Sequence, residues 1–282
     1  MALAAISWGT TGSVSAVLAA HAGASPLVVG AARMAVAAPL LLALARAVGP
    51  LRIDPADRWR CVALGLCMAG YQAAYFSAVT LTGIAIAALV AICSSPLLIA
   101  LLAAATLGER LTARVTVALA LGVAGTALLV VGPRTAADLS ARFVAGTTLA
   151  LTAGLAYALY VVIAKATLVR TAPLPLAGAN FGVAALVLAP MLIGPEAARQ
   201  LALGWPWLLY LGAVTTAAAY AIYTIGLRDV PASLAGIVSL LEPLTATLLG
   251  VAVFGERLGL AGAVGAVLLL AALGLAAPRG AG

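Results

Sequence analysis

The most informative property of this sequence is its shortage of charged residues. Only 8% of its 282 residues are charged, whereas a soluble domain carries about a quarter. Hydrophobic residues make up 65% of the chain, and the mean hydropathy is +1.20. So few charges do not cover the water-exposed surface of a domain of this size. The shortage excludes a cytosolic enzyme, a secreted disulfide scaffold and a disordered chain, and it predicts an integral membrane protein.

Residues that carry enzyme or metal chemistry are equally scarce. The chain has one histidine, His21, and three cysteines, Cys61, Cys67 and Cys93, which lack paired spacing. The cysteines predict small buried hydrophobic residues, with neither a disulfide nor a metal site. The sequence also lacks a nucleophile elbow, a phosphate-binding loop and a zinc-protease motif. We therefore expect a protein that is not an enzyme, with no catalytic residue, no cofactor and no metal.

The apolar runs are continuous and rich in alanine and leucine. A transmembrane β-barrel would instead alternate apolar and polar residues in segments of about ten. The pattern predicts an all-α membrane protein with ten transmembrane helices of about 20 residues each. The predicted spans are residues 3–20, 27–45, 61–80, 84–105, 113–132, 144–164, 174–193, 206–226, 232–253 and 260–277. The longest connections, around 46–60 and 194–205, are too short for a soluble catalytic domain.

The distribution of lysine and arginine predicts which face is cytoplasmic. With the N-terminus inside, the inner segments hold ten basic residues and the outer segments four, a bias typical of cytoplasmic loops. The inner residues are Arg46, Arg52, Arg58, Arg60, Arg110, Arg114, Lys165, Arg170, Arg228 and Arg279, and the outer ones are Arg134, Arg142, Arg199 and Arg257. This bias also explains the net charge of +7, since no basic cluster or nucleic-acid motif is present. We expect both termini in the cytoplasm and no nucleic-acid partner.

The two halves of the chain resemble each other. At a shift of 147 residues, Pro96 coincides with Pro243, and the Gly-Glu-Arg-Leu block at 108–111 coincides with the block at 255–258. The same shift pairs Pro26 with Pro173 and Arg33 with Asn180, a shift of 148 pairs Tyr75 with Tyr223, and a shift of 149 pairs Trp8 with Tyr157. The sequence therefore predicts an internal repeat that covers nearly the whole chain.

The repeat predicts the architecture. We place the first unit at residues 1–134 and the second at 140–282, each with five spans. Because five is odd, the second unit enters the membrane in the opposite orientation, which gives two inverted five-helix repeats. Such repeats are typical of secondary transporters, with a binding site near the midplane and alternating access. Gene duplication also produces symmetric membrane proteins with other roles, and this alternative stays open.

Two charged residues, Arg33 and Glu242, lie inside predicted spans. A charge in the hydrocarbon costs about 2.5–3.5 kcal/mol on insertion scales and marks a functional site by default. The other repeat has neutral residues at the matching positions, Asn180 for Arg33 and Ser95 for Glu242. A zwitterion would place its carboxylate at Arg33 and its ammonium at Glu242. Alternatively, the two charges pair with each other, Arg33 reaches the membrane interface, or Glu242 has a structural role.

Aromatic residues are few but recur at helical spacing, so that each group shares one helix face. Together with neighbouring polar residues they predict a cavity wall, although helix packing explains any single pair. The predicted substrate-binding residues are Trp8, Thr11, Arg33, Tyr71, Tyr75, Ser94, Ser95, Tyr157, Asn180, Tyr220, Tyr223 and Glu242. Ser94 and Ser95 alternatively bond back to their own helix. Pro96 and Pro243 each remove an intrahelical hydrogen bond and predict two hinges.

These motifs resemble the drug/metabolite transporter superfamily in its ten-helix EamA type. The resemblance rests on Trp8-Gly9, Arg33, Pro96 with the first Gly-Glu-Arg-Leu block, and Glu242-Pro243 with the second. Within the superfamily the chain is most similar to the YddG-like amino-acid exporters. The resemblance implies a central cavity lined mainly by spans 1–4 and 6–9, and export of small metabolites from a bacterial cytoplasm. Because Ser95 stands where the second copy has Glu242, the carboxylate role transfers to Glu242 alone.

The predicted function is export of aromatic and other neutral amino acids across the bacterial inner membrane. The protein is expected to act in the lipid bilayer on a small-molecule substrate, as a monomer or homodimer. The alternatives are a multidrug exporter of cationic compounds, an intramembrane lipid-processing enzyme, and a receptor or scaffold. Glu242 is the obvious site for proton coupling, whereas facilitated diffusion needs no such site.

Overall fold

Apolar segments fold as helices in a membrane because a backbone in lipid must satisfy its own hydrogen bonds. The computed structural model describes residues 1–131, 140–254 and 259–276, which contain helices and no strand. Ten helical units confirm the predicted all-α membrane fold, and eight of them are long and apolar enough to cross a membrane. They are α1 (Ala2–Gly9 and Thr11–Ala22), α2 (Pro26–Val48), α3 (Arg58–Thr82, after the 3-10 turn Pro55–Asp57), α4 (Ile84–Leu107), α5 (Ala113–Val131), α6 (Ala141–Thr167), α7 (Pro173–Leu188, continued by the 3-10 turn Ala189–Leu192), α8 (Pro195–Gly212, Ala213–Ala218 and Ala219–Asp229), α9 (Ala232–Ser239 and Leu241–Phe254) and α10 (Leu260–Ala276).

The eighth helix is longer than the sequence analysis predicts. Residues 194–205 are expected to form a loop, and this prediction is wrong, because α8 spans 35 residues from Pro195 to Asp229. Proline at the first helical position and Glu196 in the first turn both favour a helix start. Glu196 also pairs with Arg199 one turn later, at 2.7 Å. The apolar pattern starts later than the helix because this first part carries polar residues.

Several helix ends follow from local sequence. The hydroxyls of Ser25 and Ser140 cap α2 and α6 by accepting backbone N–H groups at 3.3 and 3.2 Å. The first Gly-Glu-Arg-Leu block ends α4 at Gly108, whose φ of 68° is the left-handed conformation typical of a glycine cap. The second block, 255–258, lies outside the described residues.

Contacts between connecting segments define two faces of the bundle. On one face, which we call the N-terminal face, Met1 lies beside Gly226, and the Lys165 ammonium donates to the carbonyl of Arg228 at 2.8 Å. On the other, the opposite face, the Gln200 side chain accepts from the Ser25 N–H at 2.9 Å. The basic-residue bias predicts that the N-terminal face is the cytoplasmic one.

A buried carboxylate joins two connections on the N-terminal face. Asp57 is fully buried and accepts hydrogen bonds from Arg60 at 2.9 Å, Arg170 at 2.5 Å and the Thr171 hydroxyl at 3.0 Å. The carboxylate raises the pKa of the Arg170 guanidinium. These contacts fix the start of α3 against the segment between α6 and α7.

A second carboxylate on this face joins the two repeats. Glu109 accepts from the N–H groups of Ala232 and Ser233 at 2.6 and 3.1 Å, and from the Ser233 hydroxyl at 2.7 Å. It therefore caps the first turn of α9, where backbone donors have no helical partner. The glutamate of the first Gly-Glu-Arg-Leu block thus has a structural role across the repeat boundary.

Candidate functional site

A cavity of about 320 Å³ lies inside the helix bundle. Its wall comes from α1–α4, α6, α8 and α9, and it extends from Trp8 and Gly236 to Ala24 and Pro26 near the opposite face. Among the described residues, the lining includes none of those that mark the N-terminal face. The cavity therefore opens toward the opposite face. Its wall is mainly apolar with a few polar groups, which is the usual character of a small-molecule site.

The structure brings nine of the twelve predicted substrate-binding residues to this cavity. They are Trp8, Thr11, Arg33, Tyr71, Tyr75, Ser95, Tyr157, Tyr220 and Glu242. The other three, Ser94, Asn180 and Tyr223, do not line it. The Ser94 hydroxyl donates to the carbonyl of Ala91 at 3.2 Å, and Asn180 and Tyr223 are buried at 0% and 1% exposure.

The aromatic side chains of four helices meet on one wall of the cavity. Trp8 of α1 lies 5.0 Å from Tyr220 of α8, measured between ring centroids. Tyr71 of α3 lies 5.8 Å from Tyr75 and 5.7 Å from Tyr157 of α6. Tilted and offset pairs at such distances are favourable. The two groups give the cavity aromatic surfaces that can hold a planar or apolar substrate group.

The two charged residues reach the same cavity but do not pair. Arg33 is 8% exposed, and its Nε donates to the Thr216 hydroxyl oxygen at 3.1 Å. In the described part of the chain, Arg33 forms no salt bridge with Glu242, and Glu242 forms no hydrogen bond. A charge held in a low-dielectric wall without a counter-ion is free to bind a ligand of opposite sign.

The partner of Arg33 lies in an irregular part of α8. Residues Ala213–Ala218 form a π-helical turn, in which the hydroxyls of Thr215 and Thr216 both donate to the carbonyl of Leu211, at 2.8 and 2.7 Å. At the start of this turn, Gly212 lies against the side chain of Val36, so that a larger residue would collide with α2. Single π turns are frequent at functional sites.

The two predicted hinge prolines differ in their surroundings. The helix α9 is interrupted between Ser239 and Leu241, next to Pro243, because this proline has no N–H for the carbonyl of Ser239. In contrast, α4 continues without interruption through Pro96. Beside Pro96, the Ser95 hydroxyl bonds back to its own helix at 2.7 Å. Motion at either proline stays a prediction.

Four polar residues of the cavity wall are absent from the predicted substrate-binding residues: Ser15, Gln72, Ser239 and Thr247. Gln72 of α3 is 3% exposed and Ser239 lies at the interruption of α9, and both line the cavity. An uncharged polar residue in the middle of an apolar span is a weaker signal than a charge, but it points to a site for the same reason. Gln72 is the one that this rule would have found.

In the described residues, ten helical units surround a mostly apolar cavity whose two charged residues form no salt bridge with each other, an arrangement typical of multi-pass membrane transporters. Within that class, the chain belongs to the EamA-like transporter family, whose profile matches residues 1–131 and 144–277. The double match shows a duplicated domain. The protein is therefore a secondary transporter for a small molecule in a lipid bilayer, and not an enzyme.

Relatives and solved structures agree with this assignment. The chain is 36% identical over 289 residues to the uncharacterized transporter YwfM of Bacillus subtilis, covering 98% of this chain and 93% of that protein. An uncharacterized transporter of Archaeoglobus fulgidus is 39% identical over 67 residues, or 24% of this chain and 25% of that one. A crystal structure of a protein with 26% identity superposes with a TM-score of 0.78 over 97% of this chain and 94% of the other.

Proposed function

We propose that this transporter exports aromatic and other neutral amino acids by alternating access. The observation that carries the proposal is the presence of one cation, Arg33, and one carboxylate, Glu242, in one aromatic cavity without a salt bridge between them. An amino acid offers a carboxylate, an ammonium and an apolar or aromatic side chain, which match these three features in charge and polarity. Its carboxylate binds Arg33, its ammonium binds Glu242, and its side chain packs on the tyrosines.

The charge bias of the loops supports the orientation of the site. Basic residues favour the N-terminal face as the cytoplasmic one, so the cavity of this structure faces outward. An exporter in this state is ready to release its substrate. The similarity to a Bacillus subtilis transporter and to the YddG-like exporters supports a location in a bacterial cytoplasmic membrane, with both termini inside.

The test is uptake into proteoliposomes with a panel of radiolabelled amino acids, with and without a pH gradient. Arg33→Ala and Glu242→Gln should each reduce transport at least tenfold while leaving expression unchanged, because each removes a charge-assisted contact. Arg142→Ala is the matched control, since Arg142 is exposed and donates to the carbonyl of Thr80 outside the cavity. Transport of no amino acid by the wild-type protein refutes the proposal. Normal transport by both cavity variants removes these residues from the site.

A second candidate is export of cationic drugs. The arrangement that favours it is the Glu242 carboxylate beside an aromatic wall, which attracts cations through charge and cation–π contacts. Arg33 opposes it, because a buried cation repels a cationic substrate. The same assay separates the two functions: Arg33→Ala would increase uptake of a cationic compound and decrease uptake of an amino acid.

A further inference from the structure

Four polar side chains lie buried behind the aromatic wall, and we call them the buried polar cluster: Tyr160, Asn180, Tyr223 and Thr224. They come from α6, α7 and α8, and each is at most 1% exposed. The Tyr160 hydroxyl faces Thr224 and Asn180. The Tyr223 hydroxyl likewise lies beside Tyr157 and Ser239, but within the described residues none of these contacts reaches strict hydrogen-bond geometry. Buried polar groups in native structures normally form well-aligned hydrogen bonds, so the loose pairing within this cluster requires an explanation.

The internal repeat supplies the explanation. Shifting the chain by 147 residues pairs Asn180 with Arg33, by 148 pairs Tyr223 and Thr224 with Tyr75 and Phe76, and by 149 pairs Tyr160 with Thr11. All four counterparts, Thr11, Arg33, Tyr75 and Phe76, line the open cavity. The buried polar cluster of the second repeat therefore occupies the positions that correspond to the cavity wall of the first repeat.

The surrounding helices show the same contrast between open and closed. In α1, Gly12 is exposed and lines the cavity, and a side chain built there would meet nothing within 4 Å. Its counterpart in α6 at the shift of 149 is Val161, which is completely buried. Hence, at equivalent positions of the two repeats, α1 lies beside the open cavity and α6 is tightly packed.

We infer that the buried polar cluster is the second half of the substrate pathway, closed in this state and open to the N-terminal face in the alternate state. Inverted repeats exchange conformations during transport, so the wall that α6–α8 now close is the one that opens next. This inference rests on the alternating access of the proposed function. The open cluster would offer hydroxyl and amide groups to the carboxylate and ammonium of an amino acid. Its hydrogen-bonding capacity is then used in the state that this structure does not show.

The inference is tested by thiol labelling from each side of the membrane. Cys61, Cys67 and Cys93 are replaced by alanine, and a single cysteine is introduced as Thr224→Cys, Asn180→Cys or Arg33→Cys. The first of these is nearly isosteric, so it keeps the test valid if the asparagine variant does not fold. A membrane-impermeant methanethiosulfonate reagent is applied to one face of oriented proteoliposomes, and the modified fraction is measured by mass spectrometry.

The expected result is labelling from opposite sides. Arg33→Cys should react at least tenfold faster from the opposite face, and Thr224→Cys and Asn180→Cys at least tenfold faster from the N-terminal face. Ala184→Cys is the matched control, because Ala184 is 0% exposed and lies on α7 one turn from Asn180. It should remain unreactive from both sides.

Three results would overturn the inference: no labelling of Thr224→Cys from either side, labelling from the same side as Arg33→Cys, or equal labelling of Ala184→Cys. Since the readout needs no substrate, it is independent of substrate identity. If side-specific labelling occurs and no amino acid is transported, the substrate proposal fails and the inference stands. If amino acids are transported without this labelling, the inference alone fails.

Discussion

The hydrogen bond between Arg33 and Thr216 leads to a specific prediction about substrate affinity. Thr216 is completely buried in the π turn of α8, and its hydroxyl oxygen accepts from Arg33 Nε at 3.1 Å while donating to the carbonyl of Leu211 at 2.7 Å. Thr216→Val keeps the shape of the side chain and removes this acceptor. The guanidinium then loses the hydrogen bond of its Nε, although Arg33 still lines the cavity.

The size of the effect follows from the type of hydrogen bond. A bond to a charged group contributes about 1.5–3 kcal/mol, and removing it leaves a buried donor without a partner. Because the guanidinium can partly reorient toward the cavity, we take the lower end, about 1.5 kcal/mol, which corresponds to about a tenfold weaker apparent affinity. The maximal transport rate should change much less, because the helices that move are not altered.

The assay is concentration-dependent amino-acid uptake into proteoliposomes. Thr215→Val is the matched control, since Thr215 is equally buried and donates to the same Leu211 carbonyl at 2.8 Å without contacting Arg33. Thr216→Ser should restore the affinity. An arylalkylamine without a carboxylate should compete equally well in wild type and Thr216→Val, because it does not use Arg33.

Two outcomes would refute this reasoning. If Thr215→Val and Thr216→Val weaken amino-acid affinity to the same extent, the effect comes from the packing of α8 and not from Arg33. If Thr216→Val leaves affinity unchanged while Arg33→Ala abolishes it, the arginine does not depend on this hydroxyl for its position.

Three further predictions concern stability, measured as the unfolding transition in detergent. Glu109→Ala should lower the free energy of unfolding by about 1–2 kcal/mol, because α9 loses its cap. The control Glu196→Ala breaks an exposed ion pair and should have little effect. Equal effects of the two variants would contradict the capping role of Glu109. Asp57→Ala should lower the free energy of unfolding by about 2 kcal/mol, because two ion pairs are lost. The loss stays at this size because Arg60 and Arg170 keep access to water. An unchanged free energy of unfolding would exclude Asp57 as a stabilising link. Gly65→Ala should lower the free energy of unfolding by about 1–3 kcal/mol, because the added Cβ would lie 2.7 Å from a backbone carbonyl of α7. The control Gly70→Ala should be tolerated, because a Cβ built at Gly70 meets nothing within 4 Å. A larger loss of stability for Gly70→Ala than for Gly65→Ala would contradict this packing.

Composition was sufficient to predict the fold, for physical reasons. A bilayer accepts few structures, so long apolar runs that are rich in alanine and leucine leave helices as the remaining choice. The prediction of a loop at residues 194–205 was wrong, because a helix there does not coincide with an apolar run. This stretch is helical in the structure, but Glu196 and Arg199 make its first turn polar, and a pattern of apolar runs does not detect such a turn.

The candidate site was predictable to the extent that it depends on charge and periodicity. Arg33 and Glu242 were found because a charge in an apolar span is rare and costly. The contact between Thr216 and Arg33 was not predicted, because it depends on a π turn that changes which side chains share a face of α8. No rule based on 3.6 residues per turn gives that geometry. Asn180 and Tyr223 were placed in the cavity by their repeat positions, yet the two repeats do not have the same conformation in this structure.

The divergence of the two repeats bears on substrate charge. Identical repeats would place two arginines and two glutamates around the pseudo-twofold axis, and like charges near one another in a low-dielectric cavity repel strongly. Instead, Arg33 is aligned with the neutral Asn180 in the repeat, and Glu242 is aligned with Ser95. One charge of each sign remains, so the cavity has no net formal charge when both are ionised, although it keeps two separated poles. Such a site favours a ligand that carries both signs, because binding satisfies each pole without leaving an uncompensated charge in the membrane.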